Sequence, residues 1–150
     1  MVKKLSVMFL LAISANLAMS STATADFNGK LIVEIDGFKN QIGQVCASIF
    51  ANSQGFPNKR DRVMQRQCTK ITDTSVNITF EKLPAGTYAV AVMHDQNNDL
   101  KLNRNLLGMP IEGFGFSRNP EVSTSAPKFS AAAFLVAGPI TNTQIQLKYF

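Results

Sequence analysis

Histidine occurs once in this chain, at His94, and cysteine only twice, at Cys46 and Cys68. A zinc centre would have to use both cysteines, at a spacing that fits no common ligand motif. No Gly-rich turn joins a strand to a helix, so phosphate-loop and dinucleotide fingerprints are absent. A strong excess of one charge is missing too. Of 15 basic residues, 13 remain beside 10 acidic ones when Lys3 and Lys4 are set aside, a net charge of +3. A nucleic-acid partner needs a dense basic face, and none is expected here. No apolar run reaches the ~20 residues of a membrane-spanning helix, so membrane insertion is not expected either.

The longest apolar run is at the start. Lys3 and Lys4 precede Leu5 to Met19, interrupted by Ser14 and Asn16, and small residues follow, ending in Ala23-Thr24-Ala25. Positive residues, an apolar stretch and an A-x-A site are the parts of a secretory signal. The expectation is a signal peptide over 1–25, cleaved after Ala25, and a single periplasmic or secreted domain over 26–150. No cysteine lies near the cut, which argues against a lipid anchor. Cys46 and Cys68 both fall in the exported part, where an oxidising compartment favours a disulfide between them.

Beyond residue 25 the hydrophobic repeat is two. Leu31, Val33 and Ile35 alternate with polar or outward positions, and so do Val45, Ala47 and Ile49. The same holds for Val76, Ile78 and Phe80, for Tyr88, Val90 and Val92, and for Ile145, Leu147 and Tyr149. Alternation of this length marks strands with one buried face. Ala131 to Ala137 reads as a further strand and Cys68 to Ile71 as a weaker one. About seven short strands punctuated by turn residues predict an all-β fold, a single β-sandwich of the immunoglobulin-like or transthyretin-like kind. An outer-membrane barrel is excluded, because the positions in phase with Phe150 are Lys148, Gln146 and Gln144, not a lipid-facing series.

Three segments stand out. In Leu83 to Asp95, Pro84-Ala85-Gly86-Thr87-Tyr88 enters a strand, with Tyr88 placed to bury its ring while its hydroxyl reaches backbone. In His94 to Asn103, the residues Asp95, Asn97, Asp99 and Asn103 occupy positions 1, 3, 5 and 9 of an EF-hand-like loop, with the Lys101 carbonyl at position 7. Alternating oxygens on a curled backbone can converge on calcium. Leu100 stands where such a loop has Gly, however, and Leu106 where it has a bidentate Glu. The alternative is an Asx-rich loop that hydrogen-bonds its own backbone. In Gly108 to Asn119, a Gly-rich cover packs through Phe114 and Phe116, and Glu112 is placed to turn back on the loop as a sixth calcium ligand.

Catalytic constellations are thin. A Ser117, His94, Asp95 triad fails because adjacent strand residues point to opposite faces. Asp95, Glu112 and His94 leave a small hydrolase as the alternative to a non-catalytic binding module, and a structural envelope component as a third reading. The run Lys59, Arg60, Arg62, Arg66 and Lys70 reads as a solvated loop and edge, or as an anion or acidic-glycan contact. A monomer is expected, with a protein, glycan or small ligand as partner.

Taken together, Leu83, Pro84, Gly86, Tyr88, Ala89, His94, Asp95, Asn97 and Asn103 resemble a bacterial exported family catalogued as domain of unknown function 2141. The resemblance continues through Gly108, Pro110, Glu112, Gly113, Gly115, Phe116 and Ser117 to Pro127, Phe129 and Ala132. It implies a β-sandwich and an export signal and brings no established activity. Similar sequences often carry Gly within the loop and Asp at the position of Asn103.

Overall fold

The alternating segments form strands because each offers β-branched or aromatic residues to one side. The computed structural model describes residues 28–150, so the expected signal peptide lies outside the described residues. Eight strands make two sheets. In the first, β1 (Asn28–Asp36) lies between β4 (Val76–Pro84), antiparallel, and β8 (Ile140–Gln146), parallel. The second has the order β3 (Gln65–Lys70), β2 (Gln44–Phe50), β5 (Gly86–Asp95), β6 (Phe114–Phe116). A further strand, β7 (Phe134–Val136), pairs with the first residues of β5.

The sheets face each other across one core. Leu31, Val33, Ile35, Phe80 and Ile145 come from the first sheet, and Val45, Ile49, Val90 and Val92 from the second. Each such side chain stabilises the fold by about 1.5–3 kcal/mol when fully buried. Cys46 and Cys68 lie opposite each other on β2 and β3 and are joined by a disulfide. The Tyr88 hydroxyl donates to the Pro84 carbonyl at 2.9 Å, which fixes the turn into β5 as its motif predicts.

Several elements depart from the sequence reading. Ala131 to Ala137 is not one strand: a single helical turn, α1 (Phe129–Ala132), precedes β7. Alanines favour helix, and the Ser117 hydroxyl accounts for the Ala132 carbonyl at 2.6 Å. Phe114 and Phe116 belong to a strand of the sheet, not to a loop laid upon it. Strand β8 starts at Ile140 and ends at Gln146, before the Leu147 and Tyr149 positions of the alternating run. There the chain changes sheets, and Lys148 exchanges backbone hydrogen bonds with Phe114 at 2.8 and 3.0 Å.

The largest departure is on the far side of the second sheet. Alternation marks Cys46, Ser48 and Phe50 as outward-facing, yet all six residues from Val45 to Phe50 are buried. The cover consists of Phe56, Phe129, Val122, Leu102 and their neighbours, packed on Ala89, Phe114, Phe116 and Ala132. The second sheet is therefore a middle layer, with the sandwich core on one face and a smaller loop-covered core on the other.

Candidate functional site

The outer face of the second sheet is built in rows. Phe50 and Ala89 form one pair, Ser48 and Ala91 the next, and Cys46 and Met93 the third. Strand β6 extends the last two rows with Phe116 beside Ala91 and Phe114 beside Met93. Over the first row the cover is closed. Phe56 sits there edge-on to Phe50, Phe116 and Phe129, at ring separations of 5.3, 5.9 and 5.8 Å.

Over the other rows the cover stands off, and a cavity of about 730 Å³ remains. That volume falls within the roughly 300–1,000 Å³ of small-molecule sites. Its floor is Ala91, Met93, Phe114 and Phe116, and its walls include Leu102, Pro110 and Val122. Ala91 matters because a methyl group leaves the floor low between Ser48 and Phe116.

Four cationic side chains line the same cavity, Arg60, Arg66, Lys101 and Arg104, and among the described residues no aspartate or glutamate does. The Arg66 Nε donates to the Ser48 hydroxyl at 2.8 Å. Arg60 donates to the Leu100 carbonyl, and Arg104 to the Gly108 carbonyl at 2.8 Å. The ion pairs among the described residues, Lys30–Glu81 and Arg62–Asp61, leave all four aside. Burial, and then the Arg60 charge, lower the pKa of Arg66. Arg60 and Arg66 thus come from the basic run that reads as a solvated edge, whereas Lys59, Arg62 and Lys70 do not line the cavity.

The Asx-rich loop lies at one wall. Buried Asp95 accepts from the Asp99 amide at 3.0 Å, the Leu100 amide at 3.0 Å and the Gln44 Nε2 at 2.8 Å. Asp99 accepts from the Lys101 amide at 2.8 Å and from the Asn97 and Asn103 side-chain amides at 3.2 and 3.1 Å. The Asn103 side chain, then the Lys101 amide, holds the Asp99 carboxyl below its ordinary pKa. Leu100 adopts φ +63°, the left-handed conformation for which glycine is the usual choice.

Glu112 turns back on this loop as expected, but its oxygens meet backbone. Oε1 accepts from the Gln96 amide and Oε2 from the Asn103 amide, both at 2.9 Å. One buried carboxylate therefore ties the two ends of the loop together. Asn103 Oδ1 is buried without a partner. Among the described residues, no three acidic, histidine or cysteine side chains converge as a metal shell.

His94 and Ser117 are placed elsewhere. His94 lies fully buried on the inner face, with Nε2 2.7 Å from the Ile42 carbonyl and Nδ1 2.7 Å from the Tyr149 hydroxyl. The Ser117 hydroxyl accepts from the Val90 amide at 2.9 Å. Neither lines the cavity, and neither do Asp95 and Glu112. The cavity itself escapes a motif search, since its cations come from β3 and two separate loops.

No curated protein and no solved structure matches the chain. One family model does, across residues 33–145, and the chain accordingly belongs to DUF2141, described as an uncharacterized protein conserved in bacteria.

Proposed function

We propose that the protein is a non-catalytic binding module, acting in the periplasm or outside the cell, whose ligand occupies the cavity on the outer face of the second sheet. The cavity carries this reading: an apolar floor on a rigid sheet, walled by loops, is the common form of a small-molecule site. The residues a hydrolase would need support it as well. Asp95, Glu112 and His94 have backbone or side-chain partners in the fold and lie outside the cavity lining. Export is supported by the N-terminal Lys3-Lys4 and apolar run, and by a disulfide suited to an oxidising compartment.

The test uses a neutral apolar fluorophore, N-phenyl-1-naphthylamine, whose emission rises in an apolar site. The protein should bind it saturably, and Ala91→Trp, which fills the floor, should abolish that binding while the circular dichroism spectrum stays unchanged. Binding unaffected by Ala91→Trp would place the site elsewhere. Intact mass of the exported protein should correspond to a start at Asp26.

A further inference from the structure

We infer that the ligand is an amphipathic anion: a single apolar chain ending in one carboxylate or phosphate, with its head held by Arg66 and Arg60. The inference rests on the cavity reading above and adds the chemistry of the occupant.

Two properties of the lining lead there. The floor is mainly apolar: Ala91, Met93, Phe114 and Phe116 lie together beside Ser48, while Asn58, Ser123, Thr124 and Ser125 stand elsewhere in the lining. It accepts an apolar body. Beside it, Arg66 projects from β3 and shares the cavity with Arg60, and no aspartate or glutamate side chain among the described residues lines the cavity or pairs with either. Two guanidinium groups near each other, Arg66 half-buried and Arg60 exposed beside it, repel one another and together attract an anion. The lowered pKa of Arg66 has these same causes.

Both guanidinium groups are held in place by neutral acceptors. Arg66 donates through Nε to Ser48, and Arg60 donates to the Leu100 carbonyl. No acidic side chain among the described residues is paired with either charge, and a guanidinium fork matches carboxylate and phosphate oxygens in a plane. Lys101 and Arg104 extend the same sign along the wall. A neutral amphiphile would leave these charges uncompensated, and a cationic one would be repelled. The Arg60 contact also connects the head site to the Asx-rich loop, because Leu100, at φ +63°, donates its amide to the Asp95 carboxylate.

The experiment displaces bound N-phenyl-1-naphthylamine from the full exported protein with three competitors of one chain length: dodecanoate, dodecanol and dodecyltrimethylammonium. Dodecanoate, below its micelle concentration, should compete at least tenfold better than either of the others. Arg66→Gln keeps a group able to reach Ser48; it should remove that advantage and leave fluorophore and dodecanol binding unchanged. Arg60→Gln is the second variant, and should weaken dodecanoate in the same selective way. Dodecyl phosphate in place of dodecanoate distinguishes the two head groups. Sedimentation with phosphatidylglycerol vesicles distinguishes a free amphiphile from a lipid in a bilayer.

Fluorophore binding that Ala91→Trp abolishes, together with equal competition by all three amphiphiles, would overturn the anion assignment and leave the cavity reading standing. No fluorophore binding at all, or binding indifferent to Ala91→Trp, would overturn both.

Discussion

The Tyr149 hydroxyl and the His94 imidazole are joined by a hydrogen bond of 2.7 Å that ties the chain beyond β8 to the inner face of β5. Its direction follows from the other partners. The Ile42 carbonyl, 2.7 Å from Nε2, can only accept, so Nε2 carries the proton and Nδ1 accepts from the tyrosine. The tyrosine oxygen in turn accepts from the Lys39 amide at 3.2 Å. Gly113 makes room for this ring, since a Cβ there would overlap the Tyr149 side chain.

Tyr149→Phe should therefore lower stability by about 1–3 kcal/mol, the cost of leaving a buried acceptor unpaired. The urea midpoint measures it. Burial raises the Tyr149 pKa despite the Lys39 amide. A raised folded value means that its contribution is present below the ordinary phenol range and lost as pH rises from there through the raised value. The alkaline limb of a stability profile should accordingly be shallower in Tyr149→Phe.

Removal of the Asp95 carboxylate leaves two loop amides and the Gln44 side chain without their acceptor. Hydrogen bonds to charged groups contribute about 1.5–3 kcal/mol each way they are measured. Asp95→Ala should lose at least that much. The loop as a clasp predicts the same loss with and without millimolar calcium. A calcium-dependent rise in Tm that Asp95→Ala abolishes would instead establish the cation site.

The pH dependence of the same loop has a defined sign. Asp99 is held below its ordinary pKa, first by the Asn103 side chain. Its contribution is present above the ordinary carboxylate range and lost as pH falls through the depressed value. In Asp99→Asn, Tm should fall less steeply on acidification than in the parent.

The Cys46–Cys68 bond spans a sequence separation of 22. In the chain-entropy model, closing such a loop in the unfolded state is equivalent to about 3 kcal/mol. A Cys46→Ala, Cys68→Ala double variant should unfold at correspondingly lower urea. Alkylation of the unreduced, denatured parent should label neither cysteine.

How far the sequence could be read depended on which neighbours each face met. Leu31, Val33, Ile35, Ile78 and Phe80 carry a clean period of two because β1 and β4 are covered on one side only. In β2 and β5 the period also found the strands, yet it misplaced Cys46, Ser48 and Phe50, because their cover is supplied by residues outside the sheet such as Phe56 and Phe129. No local pattern announces such a cover. Glu112 was legible as a partner of the Asx-rich loop through its composition, but its actual partners are two backbone amides, which every residue has. Arg60 and Arg66 were legible only as members of a basic run. Their separation from Lys59, Arg62 and Lys70 requires knowing that Ser48 faces Arg66 across the β2–β3 ladder.

The placement of β1 has a consequence for the order of assembly. As the chain emerges from its N-terminus, this strand is the earliest of the eight, while its parallel neighbour β8 is the last, with Lys30 opposite Ile140. Until the final strand arrives, one side of β1 is an open ladder of amides and carbonyls, the kind of edge that recruits other chains. Closure is then a late, long-range event, slow by topology. Fragments ending before residue 140 should aggregate where a chain that includes β8 folds, and the open side of β1 needs protection until that strand has been made.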